Sequence, residues 1–427
     1  MKSLAAAAPL RTAARCAALS LLLAACARPA MAPTPRPRPA TPPAPARLAA
    51  VTTLVRAAPA VVGLDARLPA TLDSVMRAGI AAGAAPGATL AVGRYGRLVY
   101  LKGFGTMYAG PGAPRVTPTT IYDLASLTKV VATTTAAMIL EDEGKLQIDR
   151  PVAFYLPEFD DSSKAGITVR MLLTHRGGLE AFAPLYQTLR GREQYLQAIN
   201  SRPLAYTPGT QTVYSDWDFV LMQLVIEHIT GEPLDRFVQE RVFGPLGMHD
   251  TLFRPPPSLI PRIAATEVDS TRGGLIRGEV HDPNAWALGG VSGHAGLFST
   301  APDLAIFAQM LLNGGAYDGV RIVRPETVAR WTAPQYPGSS RALGWDTPSG
   351  KSSSGQFFSP WSFGHTGFTG TSIWIDPTRG LFVVLLTNRV NYGESNEKHA
   401  DLRRAVADAV QSAILDAPLV DWERQRQ

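Results

Sequence analysis

Two predicted β-hairpins, one near each end of the folded part of the chain, restrict the fold more than any other feature of this sequence. The first joins Gly87–Gly93 to Leu98–Leu101, and the second joins Thr371–Ile375 to Leu381–Leu386 across a loop rich in turn-forming residues. The residues between the hairpins have mostly helical patterns. We therefore predict an α/β fold of the α+β type, with an antiparallel sheet built from both ends of the domain, flanking helices and a mostly helical insertion at about residues 121–285.

The first 60 residues have the composition of an export signal followed by a tether. Basic residues precede an apolar run that is about half of the roughly 20 residues needed to cross a bilayer, as in secretory signal peptides. The run ends in Leu23–Cys26, which resembles the lipobox of bacterial lipoproteins, where the cysteine is acylated. We predict a signal peptide at 1–25 and a lipidated Cys26 that anchors the exported protein to a membrane. Ordinary cleavage nearby, which would leave a soluble secreted protein, is the alternative.

Residues 26–60 are rich in proline, alanine and arginine, with eight prolines between Pro29 and Pro45, and cannot bury enough apolar area to fold. We predict that they form a tether for a catalytic domain at 61–427. Membrane attachment would place this domain in the periplasm or cell envelope.

Charge and cysteine content exclude several functions. The first 60 residues contain eight basic residues and no acidic residue. Residues 61–427 therefore hold 33 basic and 35 acidic side chains. A basic nucleic-acid-binding face is therefore not expected. Both cysteines, Cys16 and Cys26, precede the domain, which excludes a disulfide scaffold, a thiolate zinc site and a cysteine nucleophile within it.

The segment Ser126-Leu127-Thr128-Lys129 carries the strongest chemical signal. It leads into Val130–Leu140, which is apolar or small on every side, as in a helix buried all round. Residues three apart share a helix face, so the Lys129 amine can reach the Ser126 hydroxyl. Backbone N–H groups of a first helical turn favour a developing oxyanion. A serine needs a neighbouring base to act as a nucleophile, and a desolvated lysine can supply it.

Two further segments support this interpretation. Tyr214-Ser215-Asp216 precedes a predicted helix, and His365-Thr366-Gly367 begins the second hairpin, where glycine permits close approach of a substrate. The S-x-x-K spacing alone is weak, because Ser395 and Lys398 also match it in a polar stretch where we interpret the match as chance.

In this order the three segments resemble the S-x-x-K, Y-x-N and H-T-G or K-T-G motifs of the penicillin-recognising serine hydrolases, which include class C β-lactamases, D-alanyl-D-alanine carboxypeptidases and esterases. The resemblance implies Ser126 as nucleophile, Lys129 as its base and Tyr214 as a proton shuttle. It also implies an oxyanion hole made by the backbone N–H groups of Ser126 and Phe368. Its substrate-binding residues would be Asp216, His365, Thr366 and Gly367.

The resemblance predicts a serine hydrolase that acts through an acyl-enzyme on peptides or esters containing a D-amino acid, without a metal or organic cofactor. A carboxylesterase or weak class C-like β-lactamase is the alternative enzyme, and an acylatable sensor or binding module without turnover is the alternative of another class. The expected partners are a small peptide, ester or β-lactam substrate and, through Cys26, a membrane. Nucleic acid is not expected, and a monomer is the default.

Two residues depart from the family pattern. Asp216 stands where the family has asparagine, and a carboxylate near Lys129 would favour the protonated amine. His365 replaces the lysine of most β-lactamases, which exchanges a permanent cation for a titratable group. Both changes argue against a dedicated β-lactamase.

Other catalytic classes have weaker support. His281, Asp282 and His294 could be proposed as metal ligands, but no histidine pair has a known metal-binding spacing. No G-x-S-x-G elbow is present, which disfavours an α/β-hydrolase. Acidic residues at Glu141–Glu143 are better explained as solvated helix ends than as glycosidase carboxylates. Among the tryptophans, Trp361 is the best candidate for a cleft wall.

Overall fold

A computed structural model describes residues 53–426. The strands are β1 (Val55–Arg56), β2 (Gly87–Arg94), β3 (Arg97–Gly105), β4 (Tyr122–Asp123), β5 (Leu252–Phe253), β6 (Val268–Asp269), β7 (Gly274–Leu275), β8 (Leu297–Ser299), β9 (Ala316–Tyr317), β10 (Val320–Arg321), β11 (Phe363–Thr366), β12 (Ser372–Asp376) and β13 (Leu381–Thr387). The signal peptide, Cys26 and most of the predicted tether lie outside the described residues.

Helices lie before, between and after the two hairpins. They are α1 (Leu68–Ala81), α2 (Thr135–Asp142), α3 (Val152–Tyr155), α4 (Val169–Leu173), α5 (Gly191–Ser201), α6 (Asp216–Thr230), α7 (Leu234–Val238), α8 (Gly244–Leu246), α9 (Pro283–Ala287), α10 (Ala301–Leu312), α11 (Pro325–Trp331), α12 (Lys398–Ser412) and α13 (Trp422–Arg426). Short 3₁₀ helices span Pro59–Val62, Leu185–Gln187, Pro257–Arg262, Ser270–Arg272 and Arg389–Tyr392, and π-helical segments span Lys129–Thr134 and Gln239–Phe243.

Both predicted hairpins are present and share one sheet with strand order β1-β3-β2-β13-β12-β11. The turn between β2 and β3 uses Tyr95 and Gly96, both with positive φ, as a type I′ hairpin turn requires. The two halves of the chain meet where β2 pairs antiparallel with β13, Val92 opposite Val383. The predicted antiparallel sheet is thus confirmed, with one addition. Strand β1 pairs parallel with β3, so the sheet is mixed.

The sheet is buried on both faces, which explains the continuous apolar run of β13. Leu90 of β2 and Val383 and Leu385 of β13 belong to a core shared with α1 and α12. Val384 and Leu386 belong to the larger core, which includes the helices between β3 and β11. Alternate residues of β13 therefore pack into the two cores on opposite faces of the sheet.

Helices of the inserted region continue beyond residue 285. Helix α10 contributes Leu304 and Phe307 to the larger core, and α11 contributes Trp331.

At the N-terminal end of the described residues, Val55–Arg56, inside the segment predicted to be tether, pairs with Arg97 and Leu98. Within residues 53–426, no helix has both the length and the apolar character needed to cross a membrane.

Candidate active site

Ser126 lies in a tight turn between strand β4 and the buried helix. Ala125, the residue before it, has a φ of 47°, a strained conformation for alanine that often marks a functional site. The carboxylate of Asp123 stabilises this turn by accepting the Ala125 N–H at 2.8 Å. The chain then enters the π-helical segment Lys129–Thr134, an irregularity frequent at functional sites. The predicted contact is present, with Lys129 Nζ 3.0 Å from Ser126 Oγ.

The Lys129 amine is completely buried and has three hydrogen-bond acceptors. Besides Ser126 Oγ, these are Asp216 Oδ1 at 2.7 Å and the His294 carbonyl oxygen at 3.2 Å. Burial opposes the charge on Lys129, but Asp216 and Tyr214 outweigh it and raise the pKa of Lys129. Three acceptors also match the three N–H donors of an ammonium group. The resting site therefore holds Lys129 protonated, the outcome that the Asp216 departure predicts.

Tyr214 lies beside this amine, with Lys129 Nζ 4.8 Å from its ring centroid. The His175 ring, 4.4 Å from that of Tyr214 by centroids, packs behind it. His175 Nδ1 is 2.9 Å from Asp218 Oδ2, and both side chains are buried. Burial lowers the pKa of His175 and raises that of Asp218, which favours a pair of neutral groups. The position of His175 behind Tyr214 joins residues from separate elements, so no sequence motif could reveal it.

A cleft of about 330 Å³ brings the three predicted segments together. Its lining residues are Ser126, Tyr214, Arg341, Asp346, His365, Thr366, Gly367, Phe368, Arg389, Glu397, His399 and Arg403. Residues of the inserted region, of β11 with the loop after it, and of the chain after β13 thus meet around one cavity. Trp361 is not among these lining residues; it packs edge-on against Trp422 with ring centroids 6.3 Å apart, so its predicted place in the cleft wall is not observed.

The loop after β11 is tied to the segment before Ser126. The hydroxyls of Thr369 and Thr371 donate to the carbonyl oxygens of Asp123 and Leu124 at 2.8 and 2.9 Å. On the other side, Arg403 Nη2 donates to the Gly367 carbonyl oxygen at 2.9 Å.

The C=O and N–H of one trans peptide point in opposite directions. The bond from Arg403 to the Gly367 carbonyl therefore also fixes the direction of the Phe368 N–H, the second predicted oxyanion donor. Sequence reasoning missed Arg403 because it lies in the last helix, outside every motif.

Gly367 is required by this packing, so we predict a large effect of Gly367→Ala. A Cβ there would lie 2.4 Å from the Leu124 carbonyl oxygen and 2.1 Å from Thr371 Oγ1. The loop must move away, and the Phe368 N–H moves with it. Loss of one oxyanion donor typically lowers kcat by about 100-fold or more. Steady-state kinetics should show this fall, with Gly166→Ala as control because a Cβ at Gly166 meets nothing within 4 Å. Full activity in Gly367→Ala would exclude this loop from the oxyanion hole.

His365 is buried and neutral, and so cannot serve as a cation for the substrate. Burial, Arg341 and Lys129 lower the pKa of His365 to about 3. Its Nδ1 is 2.8 Å from the Thr366 carbonyl oxygen, an acceptor only, so Nδ1 carries the proton. The sequence predicted a titratable group here, but burial keeps it neutral at physiological pH.

Three arginines supply the positive charge that His365 lacks. Arg389 Nε donates to the Phe368 carbonyl oxygen at 2.7 Å, and Arg403 also holds this loop. The guanidinium of Arg341 makes no hydrogen bond to another residue of 53–426, and its ion-pair partner, Asp346 Oδ1, is 4.0 Å away. Arg341 is 5.4 Å from the Tyr214 ring centroid, so its donors are available to a ligand. No motif marked this loop residue in the sequence.

Two groups of carboxylates and histidines lie close enough to share a cation. In the first, Asp216, Asp282 and His294, the Lys129 ammonium already supplies the charge. In the second, His281 Nε2 lies 2.6 Å from Glu267 Oε2 and 3.7 Å from Glu394 Oε1, so contacts between the imidazole and these carboxylates account for the arrangement.

Comparison with known proteins agrees with this geometry. The family profile "Beta-lactamase" matches residues 72–408. A proposed D-alanyl-D-alanine carboxypeptidase of Escherichia coli (strain K12) is 37% identical over 345 residues, covering 71% of this chain and 78% of that protein. A penicillin-binding protein homologue from Caulobacter crescentus superposes with a TM-score of 0.65 at 22% identity, covering 80% of this chain and 97% of that one. A class C β-lactamase from Rhodobacter sphaeroides superposes with a TM-score of 0.64 at 22% identity, covering 80% of this chain and 99% of that one.

The fold and the grouping of serine, lysine and tyrosine around one cleft are those of a serine hydrolase, as predicted. Its architecture is the β-lactamase/transpeptidase-like fold. Because the family profile covers most of its length, the chain belongs to the β-lactamase family.

Proposed function

We propose that this serine hydrolase is a carboxypeptidase that removes a C-terminal D-amino acid, such as D-alanine, from peptides of the cell envelope. The observation that carries the proposal is Arg341, a guanidinium with available donors in the same cleft as Ser126. A carboxypeptidase substrate has a free carboxylate next to the scissile bond, and arginine is the side chain best suited to bind it. The name of the Escherichia coli relative supports the same activity.

The reaction begins with attack of Ser126 Oγ on the carbonyl carbon before the terminal residue. The step requires Lys129 to have released its ammonium proton to solvent, and its neutral amine then accepts the hydroxyl proton of Ser126, with Tyr214 beside it. The tetrahedral oxyanion accepts hydrogen bonds from the N–H groups of Ser126 and Phe368. Collapse expels the D-amino acid, whose amine takes that proton, and leaves an acyl group on Ser126. Water then attacks the ester, and the same groups return the proton to Ser126.

The proposal is tested by intact-protein mass spectrometry combined with three parallel assays. The substrates are a D-alanyl-D-alanine peptide, a short-chain nitrophenyl ester and a chromogenic cephalosporin. We expect the highest kcat/KM with the peptide, and a mass increase at Ser126 with a penicillin. Preference for the ester by more than about tenfold would favour the carboxylesterase alternative, which the neutral His365 supports. A stoichiometric burst without turnover on any substrate would favour the sensor module.

Arg341→Gln should separate carboxylate recognition from the chemical step. Hydrogen bonds to charged groups contribute about 1.5 to 3 kcal/mol, so kcat/KM for the free-acid peptide should fall by about 10- to 100-fold. The C-terminal amide of the same peptide should be almost unaffected, because it has no carboxylate to lose. Arg150→Gln, at an exposed arginine outside the cleft, is the control. An equal loss of kcat/KM for the free-acid peptide and its amide would show that Arg341 does not bind the substrate carboxylate.

We also propose that Cys26 is lipidated and that the domain acts at a membrane of the cell envelope. The lipobox-like Leu23–Cys26 and the following proline-rich segment support this location. Mass spectrometry of the mature N-terminus, in the wild type and in Cys26→Ala, should show a diacylated or triacylated cysteine only in the former. Cleavage at another position, with no lipid on the mature N-terminus, would support the alternative of a soluble secreted protein.

A further inference from the structure

His175 is a buried residue that the mechanism above does not use. It lies just after helix α4, is 1% exposed and has a φ of 55°. A residue with a side chain is strained in this left-handed conformation, which persists only where surrounding contacts hold it. The contacts of His175 therefore show what the strained conformation brings together.

The residues on either side of Tyr214 both donate a backbone N–H to His175. The Val213 N–H donates to the His175 carbonyl oxygen at 2.9 Å, and the Ser215 N–H donates to His175 Nδ1 at 3.2 Å. The Tyr206 hydroxyl donates to the same carbonyl oxygen at 3.2 Å. A shift of the Tyr214 backbone would therefore break a hydrogen bond to His175.

The imidazole ring of His175 also packs against the Tyr214 ring. The two ring centroids are 4.4 Å apart, and the ring planes are inclined by 42°. The imidazole is held in turn by Phe219, with ring centroids 5.4 Å apart, and by Asp218, whose Oδ2 is 2.9 Å from Nδ1. Lys129 Nζ lies 4.8 Å from the Tyr214 ring centroid. One buried residue thus restrains both the backbone and the ring of Tyr214 beside the Lys129 amine.

We propose that His175 is a positioning residue for Tyr214, which it holds where the phenol can pass a proton to the leaving group during acylation. Ser126 Oγ bonds to the carbonyl carbon, and the bond from that carbon to the leaving nitrogen breaks. The hydroxyl proton of Ser126 passes to the neutral Lys129 amine. Tyr214 gives its proton to the nitrogen and regains one from Lys129, so protons balance. The inference rests on the acyl-enzyme chemistry of the proposed function.

The proposed proton transfer matters more for some leaving groups than for others. An amide or β-lactam nitrogen must be protonated to leave, whereas nitrophenolate leaves as an anion. Misplacement of a catalytic group lowers rates by up to about 100-fold, so His175→Asn should slow acylation by a penicillin about 10- to 100-fold. The burst of nitrophenolate from a nitrophenyl ester should slow by less than about threefold. Asparagine tolerates positive φ and retains an acceptor for the Ser215 N–H, but has no ring to pack against Tyr214.

A double-mutant cycle with Tyr214→Phe, which lacks the hydroxyl, tests whether His175 acts through Tyr214. We expect Tyr214→Phe to slow penicillin acylation at least as much as His175→Asn does. The double variant should match Tyr214→Phe within about twofold, because no hydroxyl remains to be positioned. His228→Asn, the same substitution at an exposed histidine, should change neither rate. Additive losses, or equal losses with penicillin and ester, in a folded His175→Asn variant would overturn the inference.

Gly177→Ala is a milder second probe. Gly177 has no positive φ, so alanine fits its backbone, but a Cβ there would lie 2.8 Å from Asp218 Oδ1 and displace the carboxyl that holds the His175 ring. Penicillin acylation should slow by about three- to tenfold, again only while the Tyr214 hydroxyl is present. Gly166→Ala is the matched control. If His175→Asn does not fold, an unchanged acylation rate in Gly177→Ala overturns the inference.

Neither measured rate requires a D-alanyl-D-alanine peptide. Absence of peptide cleavage would therefore overturn the carboxypeptidase proposal and leave the double-mutant cycle measurable. A wild type that forms no penicillin adduct on Ser126 and gives no nitrophenolate burst would overturn the acyl-enzyme chemistry, and the role of His175 with it. Additive losses in an enzyme that is readily acylated would overturn the role of His175 alone.

Discussion

Ser126→Ala should lower kcat by about three to six powers of ten, the largest effect expected for any substitution in this chain. The hydroxyl forms the covalent bond, so no neighbouring group can replace it, and the loss corresponds to about 4 to 8 kcal/mol of barrier. Intact-protein mass after incubation with a penicillin or a fluorophosphonate should show no adduct in this variant.

The chain provides a matched control for this substitution. Ser395 and Lys398 have the same S-x-x-K spacing, but both are exposed at the start of α12 and neither lines the cleft. Ser395→Ala should therefore keep wild-type turnover and labelling. Normal turnover in Ser126→Ala, or a lost adduct in Ser395→Ala, would refute the assignment of the nucleophile.

Lys129→Met should cause the second largest loss, about three powers of ten in kcat. Methionine fills most of the volume of the buried lysine stem but can neither donate nor accept the proton, and general acid–base catalysis contributes about 10² to 10⁴. The Ser126 hydroxyl would also lose its contact at 3.0 Å. Rapid-quench measurement of acylation should show that the loss lies in formation of the acyl-enzyme.

The removal of Lys129 also takes away the ion-pair partner of Asp216. The Asp216 carboxylate is 20% exposed and can be hydrated from the cleft. Thermal unfolding should therefore distinguish lost chemistry from lost folding. A variant that unfolds near the wild-type temperature and is inactive supports the role of Lys129. Lys145→Met, at an exposed lysine, is the control. Retention of more than about one tenth of the wild-type kcat in Lys129→Met would mean that Tyr214 or another group activates Ser126.

Much of the fold and part of the site could be predicted because they depend on local patterns. The β2–β3 and β12–β13 hairpins are specified by apolar runs with turn residues between them, and a single sheet containing both was predicted, whereas the pairing of β2 with β13 is known from the structure. The contact between Ser126 and Lys129 is also local. One helical turn brings the amine to the hydroxyl whether the helix is of the α or the π type.

The protonation and ion pairing of the groups in the site, in contrast, depend on burial and on contacts between residues remote in sequence. Asp216 was recognised as unusual from the sequence, but its 2.7 Å contact with Lys129 joins residues 87 positions apart. His365 could be identified by its motif, yet its neutrality follows from burial.

The sequence by itself determined the two hairpins, the mostly helical character of the residues between them and the identity of the three motifs, because these follow from side-chain periodicity and spacing along one chain. Only the tertiary structure decided the electrostatics of the cleft. It placed Arg341, with donors available to a ligand, near Tyr214, and it brought the Asp216 carboxylate into contact with Lys129. Charge interactions depend on distance and solvent exclusion, and both are set by packing between segments that are remote in sequence.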